Sequence, residues 1–328
     1  MKKFLSSHLK SVVSISIIYM MLLMVFCTPT NYAIIAPGGV TNLNQTFTID
    51  QVEMDDHFYS VYVYSQDPIT LFQYVLLRNN PNYEISLITA RQSDTSILDG
   101  VVQGNISKIA SYQTSLIKAY ELAHVNDELI TIDYDYLGLI IYDFPRRINE
   151  ISIGDLIIGV NGQNLAESNF EDSKSLAYQT QVEYTIQRSD GSIYTYTYQY
   201  QEDDVLFWFF PSYEIKDANP SFSYSDFNVI GGSSGGLMQT LNIYVSLLKL
   251  NIEDVKIAGT GTIEMDGSIG KIGGIREKII TAEREKMDIF FIPQSHIDDI
   301  SGLNYSYELV VVNTIDEAVN WLYENVIQ

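Results

Sequence analysis

Two glycine-rich segments restrict the folds and the chemistry that are open to this chain. They are Gly231–Gly236 and Gly270–Lys278. Each reads as a tight glycine turn followed by the start of a helix. The first places the hydroxyl of Ser234 at a helix N-terminus, and the second places the amine of Lys278 one turn inside its helix. A serine alcohol becomes a good nucleophile when a base removes its proton, and a desolvated lysine can be that base. The two segments together predict a serine–lysine hydrolase.

The residues around Lys278 favour this interpretation. Ile275, Ile279 and Ala282 form an apolar stripe on a helical wheel. Lys278 lies at the edge of this stripe, about 60° from Ile275. A lysine in that position can be driven inward, which lowers its pKa. Two simpler explanations stay open: Lys278 can extend its ammonium group into water, and Ser234 can serve only as a helix N-cap.

Composition narrows the class of protein. The chain has 328 residues, of which 46% are hydrophobic and 18% charged, so it can form two or three domains and is not disordered. Its net charge of −22 argues against nucleic acid or anionic membrane surfaces as partners, because both repel an acidic chain. The single cysteine, Cys27, allows no disulfide framework within the chain.

The N-terminal residues predict a membrane anchor. Lys2, Lys3 and Lys10 precede an apolar run from Val12 to Cys27. Positive charge before an apolar segment keeps the N-terminus in the cytoplasm and exports the chain after that segment. We therefore expect residues 1–33 to form a cytoplasmic tip and a single transmembrane helix in the cell membrane, with the catalytic body outside the cytoplasm. Because the apolar run is short for a membrane span, a cleaved signal peptide stays open, as does a lipid anchor at Cys27.

Three further units are expected after the anchor. Residues 34–125 form an α/β segment, residues 126–203 a β-rich unit and residues 204–328 an α/β unit. The apolar periodicity predicts these strands: Phe47–Ile49, Phe58–Tyr64, Leu129–Tyr134, Leu139–Tyr142, Leu156–Asn161, Val182–Arg188, Ile193–Tyr200, Lys256–Thr262 and Ile289–Ile292. It predicts these helices: Ile69–Leu77, Ile106–Ala123, Ser234–Leu250, Ile275–Met287 and Ile315–Val326.

The β-rich unit resembles a PDZ domain. The resemblance is carried by Leu137-Gly138-Leu139-Ile140 and by the run Ile153–Gly162. In that fold a short glycine loop presents backbone N–H groups to a peptide carboxylate, and the bound peptide adds a strand to the sheet edge. The resemblance implies that Leu137, Gly138, Leu139 and Ile140 bind peptide. The alternative is a β-domain used only for packing or orientation.

The last unit closely resembles the proteolytic domain of Lon-type proteases. The matching residues lie in Gly232–Met238, in Gly259–Ile279 and in Ile289–Pro293. With the predicted anchor and the PDZ-like unit, the whole chain is similar to the membrane-anchored PDZ–Lon-type serine peptidases of bacteria. Its fold class is then α+β multidomain, with an N-terminal transmembrane helix, a PDZ-like β-rich domain and a Lon-type α/β proteolytic domain.

This resemblance implies roles for individual residues. Ser234 is the nucleophile, Lys278 is the general base, and Thr260 on the preceding strand orients the lysine amine. Backbone N–H groups near Gly232, Ser233 and Ser234 hold the oxyanion. Where this chain has Ser233 and Gly235, the family usually has proline and alanine, and Ser233 stays open as an alternative nucleophile.

Other enzyme classes fit less well. The spacing Gly232-x-Ser234-x-Gly236 also fits the nucleophile elbow of α/β-hydrolases, for which His296 is the one downstream histidine. Gly270-Lys271 does not form a phosphate loop, because Ile272 replaces the required hydroxyl and the upstream glycine is missing. We therefore expect no ATP. Since no cluster of His, Cys and carboxylate residues in the sequence suggests a metal site, we also expect no metal and no other cofactor.

The expected function is an ATP-independent serine endopeptidase that is tethered to the membrane and has a Ser–Lys dyad. Its partners are protein or peptide substrates recruited by the PDZ-like unit, and the membrane. The competing class is a non-catalytic peptide-binding scaffold, a pseudoprotease at the cell surface.

Overall fold

The computed structural model describes residues 8–145, 147–201, 204, 206–224 and 232–328, and its helices and strands lie within these ranges. The helices are α1 (Leu9–Cys27), α2 (Leu71–Leu77), α3 (Ala90–Ser93), α4 (Ile97–His124), α5 (Phe170–Ala177), α6 (Gly236–Leu248), α7 (Ile275–Arg284) and α8 (Ile315–Asn325). Short 3₁₀ turns lie at Leu43–Gln45, Leu165–Glu167 and Gln294–His296.

The strands of the first half are β1 (Tyr32–Asn42), β2 (Phe47–Ile49), β3 (Phe58–Gln66), β4 (Glu84–Leu87), β5 (Thr131–Asp143), β6 (Leu156–Val160) and β7 (Gln163–Asn164). Those of the second half are β8 (Gln181–Gln187), β9 (Ile193–Gln199), β10 (Trp208–Asn219), β11 (Phe222–Tyr224), β12 (Ile257–Gly259), β13 (Thr262–Ile263), β14 (Ile269–Gly270), β15 (Ile289–Pro293) and β16 (Glu308–Val312).

The largest sheet joins two distant parts of the chain. Its strand order is β16-β15-β12-β3-β1-β4. β12 runs parallel to β15 on one side and parallel to β3 on the other, with Gly259 opposite Ser60. β1 continues the sheet antiparallel to β3. Strands from the predicted segment 34–125 thus complete a sheet whose other strands come from the predicted unit 204–328.

Helices cover both faces of this sheet. Helices α4, α6 and α8 share one apolar core, to which α4 contributes Leu116 and Tyr120 and α6 contributes Leu237 and Leu241, all almost fully buried. Helix α7 lies on the opposite face, where Ile279 packs in a separate cluster with residues of β3, β12 and β15. The helices that carry the two glycine-rich segments therefore approach the sheet from opposite sides.

A second sheet forms the β-rich unit, with the order β10-β5-β6-β8-β9. Its core contains Leu139, Ile157, Tyr184 and Phe207, each no more than 2% exposed. β10 is a long strand that pairs with β5 along its whole length, from Trp208 opposite Asp143 to Asn219 opposite Thr131. The unit is thus closed on one side by a strand that comes after it in the sequence.

The predicted transmembrane helix is wrong. Helix α1 has 19 residues, which at about 1.5 Å per residue falls just short of the ~30 Å hydrocarbon core of a bilayer. Its first turns also contain Lys10 and several serines, so the apolar part is shorter still. Within the described ranges, no helix combines the length and the apolar character needed to cross a membrane. The predicted single-pass location, with a cytoplasmic N-terminus and an extracytoplasmic body, is overturned with it.

Most predicted helices occur with shifted ends. The helix expected at Ile106–Ala123 begins earlier, at Ile97, because Ser96 and Asp99 form a reciprocal capping box there. The helix expected from Ser234 begins at Gly236. The strands Leu129–Tyr134 and Leu139–Tyr142 are one continuous strand, β5.

The packing of α4 against α6 allows a stability prediction. Leu116 is fully buried in this core, so replacing it with alanine should lower the free energy of unfolding by about 2–5 kcal/mol. Urea denaturation of the full chain measures the loss. Val101→Ala on the same helix is the control, since Val101 is 58% exposed and should change stability by less than about 0.5 kcal/mol. Equal losses in the two variants would contradict the described packing.

Candidate active site

Ser234 and Lys278 meet between the two helices. Ser234 lies just before helix α6, whose N-cap is Gly235. Lys278 lies in the first turn of α7, which begins after Gly274 in a left-handed conformation. The Lys278 Nζ and Ser234 Oγ atoms are 2.7 Å apart, a hydrogen-bond distance. The structure therefore brings together the hydroxyl and the amine that the sequence singled out.

Thr260 links the pair to the central strand. Its side chain lies just past the end of β12, and its Oγ1 lies 2.9 Å from Lys278 Nζ as an acceptor. The same hydroxyl donates to the carbonyl oxygen of Ser234 at 3.1 Å, and Gly261 N–H donates to that oxygen at 2.9 Å. Thr260 thus fixes the lysine amine and the backbone of Ser234 at once.

Burial determines the electrostatics of Lys278. The side chain is 2% exposed, and its two hydrogen-bond partners are uncharged hydroxyls. Desolvation of the ammonium form lowers the pKa of Lys278 from its usual value to about 7. A large fraction of the amines is therefore neutral at neutral pH and able to accept a proton from an adjacent alcohol.

The loop before Ser234 depends on glycine. Gly232 has φ +107°, a conformation that favours glycine. A Cβ at Gly236 would lie 2.8 Å from Ile263 and 3.0 Å from its backbone nitrogen, so the helix can approach β13 closely only without a side chain there. Gly231 lies outside the described residues.

Two backbone donors in this loop face no acceptor among the described residues. The N–H groups of Ser233 and Ser234 have no hydrogen-bond partner within the part of the chain that the structure describes. The N–H group of Gly232 lies 3.4 Å from the carbonyl oxygen of Gly104, a long contact. Donors of this kind at the start of a helix can stabilise an anionic oxygen.

Helix α4 supports the loop before α6. The sequence did not reveal this contact. Ser111 Oγ donates to the carbonyl oxygen of Ser233 at 3.3 Å. The Oγ atoms of Ser111 and Ser115 also each lie 3.2 Å from Oε1 of Gln239, a buried residue of α6. The small polar residues of α4 were predicted only as part of a helix, because their partners lie far away in the sequence.

His296 orders the turn before α7. Its Nε2 accepts a hydrogen bond from Ile272 N–H at 2.9 Å, and its Nδ1 lies 2.8 Å from Asp299 Oδ2. Hydrogen bonding to His296 lowers the pKa of the Asp299 carboxyl. Because both ring nitrogens have partners other than Ser234, His296 does not act as the base of an α/β-hydrolase triad here.

A cleft of about 1010 Å³ opens onto the pair. One wall is β3, from Ser60 to Ser65, and another is formed by Ser107, Lys108 and Tyr112 of α4. The β-rich unit contributes an aromatic wall that consists of Tyr142, Trp208 and Phe210. This volume is large enough for several residues of a peptide, and three regions of the chain build the cleft.

The predicted peptide-binding residues Leu137, Gly138, Leu139 and Ile140 lie within strand β5 and not in a loop. Leu139 and Ile140 pair with β10 on one side and with β6 on the other. A Cβ at Gly138 would lie 2.1 Å from the carbonyl oxygen of Ile157, so the glycine serves close strand packing. Because β5 is paired with a strand on each side at Leu139 and Ile140, neither residue offers a free edge to an added peptide strand.

One cluster could hold a metal ion. The ligand atoms of Asp55, Asp56 and His57 lie within 4.8 Å of one another. His57 Nδ1 is 3.1 Å from Asp55 Oδ1, so an internal hydrogen bond already accounts for this contact. None of the three residues lines the cleft.

The buried amine gives a stability prediction. Lysine has a pKa near 10.4 in an unfolded chain and about 7 at this site, so the unfolded state binds more protons between these values. Stability should therefore rise with pH across that window. Lys278→Met should raise the free energy of unfolding by on the order of 3 kcal/mol near neutral pH.

Urea unfolding at neutral pH and near pH 10 measures this effect. The gain from Lys278→Met should shrink as the pH rises, because the unfolded lysine also loses its proton. Lys118→Met is the control, since Lys118 is partly exposed and its ammonium forms a 2.8 Å ion pair with Glu121. A gain that does not change with pH would show that the amine is not desolvated.

Comparison with known proteins finds relatives of the region that holds Ser234 and Lys278. Residues 230–324 match the family described as Lon protease (S16) C-terminal proteolytic domain. The Lon protease of Haemophilus influenzae is 31% identical over 98 residues, which are 29% of this chain and 12% of that protein. The Lon protease of Acinetobacter baumannii is 31% identical over 92 residues, 27% of this chain and 11% of that protein.

An archaeal relative gives the same result. The archaeal Lon protease of Methanocaldococcus jannaschii is 29% identical over 109 residues, 33% of this chain and 16% of that protein. The chain thus spans only a small part of the length of the curated relatives it matches, and the comparisons do not show a PDZ domain. Residues 230–324 thus match a Lon protease C-terminal proteolytic domain, and this match lies on the part of the chain that holds Ser234, Thr260 and Lys278.

Proposed function

We propose that the chain is a serine endopeptidase in which Ser234 and Lys278 form a catalytic dyad. The observation that carries the proposal is the 2.7 Å contact between Ser234 Oγ and a lysine amine that is 2% exposed. An amine of this kind is a suitable general base, because its pKa of about 7 lies near the pH at which it must act. The match of the surrounding region to the Lon proteolytic domain supports the same roles.

The reaction can be derived from these positions. Ser234 Oγ bonds to the carbonyl carbon of the substrate, and its proton passes to Lys278 Nζ. The carbonyl oxygen becomes an oxyanion, which the N–H groups of Ser233 and Ser234 can stabilise. The C–N bond then breaks as Lys278 returns the proton to the leaving amine. Water attacks the resulting acyl-enzyme with Lys278 again as base, which releases the second product and restores Ser234.

Thr260 is a positioning residue in this scheme. Its hydroxyl accepts from Lys278 and donates to the carbonyl oxygen of Ser234, so it holds the amine in line with the nucleophile. Gly232 supplies the turn that Ser233 and Ser234 need. The reaction uses no nucleotide at any step, and we propose that cleavage is independent of ATP.

We further propose that the β-rich unit acts on the substrate mainly as a wall of the cleft. Tyr142, Trp208 and Phe210 line the cleft, and Tyr142 lies 5.1 Å from Phe210 between ring centroids. Recruitment of peptide at Leu137–Ile140 stays a prediction, and the strand pairing on both sides of Leu139 and Ile140 argues against it.

The roles of the dyad can be tested with a defined mixture of synthetic peptides analysed by mass spectrometry. Ser234→Ala and Lys278→Met should each lower kcat/KM by at least about a thousandfold, because each removes one member of a catalytic unit. Ser233→Ala is the control and should retain most activity. Addition of MgATP should leave all rates unchanged.

The results separate the competing explanations. Loss of activity in Ser233→Ala with retention in Ser234→Ala would identify Ser233 as the nucleophile. Peptides that bind without any cleavage dependent on Ser234 would favour the non-catalytic scaffold.

The pH profile gives a second test. Because the neutral amine is the base, kcat/KM should rise with pH and level off above a midpoint near pH 7. The rate should therefore fall about tenfold for each pH unit below the midpoint. Steady-state rates between pH 5 and 9 on one peptide measure this profile. A rate that is constant from pH 5 to 8 would exclude Lys278 as a base with this pKa.

A further inference from the structure

The residues that line the cleft differ in charge type from the chain as a whole. The whole sequence carries a net charge of −22. The cleft, however, is lined by three lysines, Lys108, Lys271 and Lys278, and none of the residues described along it is Asp or Glu. Lys278 has its role in the proposed dyad. The other two lysines need a separate explanation, because the reaction does not use them.

Lys108 lies beside the nucleophile loop, residues 232–235 before helix α6. It is on helix α4, one turn after Gly104 and nearly one turn before Ser111, so the three residues share one face of the helix. The carbonyl oxygen of Gly104 contacts Gly232 N–H, and Ser111 Oγ donates to the carbonyl oxygen of Ser233. The face that carries Lys108 therefore faces the backbone next to Ser234.

Lys108 is screened less by solvent than Lys271 is. Lys108 is 5% exposed although it lines the cleft. Lys271 is 58% exposed and lies 3.2 Å from Asp299 Oδ2, so solvent and the ion pair reduce its field. Lys108 also interacts with other groups of the protein, and a lysine ammonium has three N–H donors. A ligand that enters the cleft can share those donors.

The substrate group that fits this position is an anion. A cationic side chain would meet two lysines and no carboxylate among the described residues of the cleft, which disfavours Lys or Arg near the scissile bond. A carboxylate would form a charge-assisted hydrogen bond in a partly desolvated site, where such bonds are strongest. In a peptide, carboxylates occur on Asp and Glu side chains and at the C-terminus.

We propose that Lys108 binds a carboxylate of the peptide substrate and so sets specificity for cleavage near an acidic side chain or near a free C-terminus. The proposal rests on the proposed peptidase function and names the substrate class for the same cleft. Lys108 is thus a binding residue that acts on the ground state and the transition state alike, and its effect belongs mainly to KM.

The experiment uses matched peptides derived from the best-cleaved member of the synthetic mixture. One series exchanges Glu for Gln at each position near the scissile bond, and a second series exchanges the free C-terminal carboxylate for an amide. In the wild-type chain, removal of one particular carboxylate should lower kcat/KM about tenfold or more, mainly through KM. The series that shows the loss identifies the source of the carboxylate.

Variants of Lys108 connect this loss to the residue. In Lys108→Gln the acidic and neutral members of the responsive pair should be cleaved at equal rates, and Lys108→Arg should restore part of the difference. Lys118→Gln removes the same charge from the same helix outside the cleft, so it should leave the difference intact. Thermal unfolding of each variant checks that the chain is folded.

Several outcomes would overturn the proposal. One is a wild-type chain that cleaves both members of every pair equally. Another is Lys108→Gln with an unchanged preference, or with a kcat that falls equally for acidic and neutral peptides, since the latter would place Lys108 in transition-state stabilisation.

A binding measurement keeps this proposal separate from the peptidase proposal. Fluorescence anisotropy of the same labelled peptides with Ser234→Ala reports carboxylate recognition without cleavage. Binding that prefers the carboxylate and needs Lys108, without any cleavage by the wild-type chain, would support the recognition and refute the peptidase. Cleavage that depends on Ser234, without any carboxylate preference in either assay, would refute the recognition alone.

Discussion

The exclusion of water from one amine is the constraint on which the rest of the site depends. Lys278 is held in its first-turn position by the packing of α7 on the sheet and by the turn that His296 orders. Without burial the amine would keep its proton at neutral pH, so it could not accept a proton from Ser234 Oγ. The hydroxyls of Ser234 and Thr260 form hydrogen bonds with the amine. Because both are uncharged, they do not stabilise the ammonium form as a carboxylate would. The packing around Lys278 therefore determines whether its amine can act as a base.

The site is assembled from parts of the chain that are far apart in sequence. The matched domain supplies Ser234, Thr260 and Lys278, but strand β3 and helix α4 come from before the β-rich unit. Helix α4 contacts the nucleophile loop, and β3 forms a wall of the cleft. The similarity to Lon proteases covers Ser234, Thr260 and Lys278, whereas the segments that shape the cleft lie largely outside it. Differences in specificity between this chain and those relatives are expected to arise in these segments.

Local patterns singled out Ser234 and Lys278, which lie 2.7 Å apart, but they did not predict the long-range pairing of strands. Glycine turns and an apolar stripe at helical spacing are properties of neighbouring residues, so Ser234 and Lys278 could be singled out. The pairing of β12 with β3 could not, because no local pattern specifies which distant strand will complete a sheet. The same limit applies to Leu139, since its sequence motif does not show that β10 fills the sheet edge beside it. Helix α1 was misjudged for another reason: its apolar run is close to the length limit of a membrane span.

The position of β12 between β15 and β3 also has a consequence for how the chain folds. Residues 131–219 form an insertion between two halves of one body, and Ser60 finds its partner Gly259 only after this insertion has been made. During synthesis, β3 exposes a free edge until most of the chain has left the ribosome, and such edges promote aggregation. Contacts of high sequence separation also form slowly. A fragment that begins at the matched domain would lack both β3 and α4. Its strand β12 would then lose one neighbour, and its nucleophile loop would lose the support of α4.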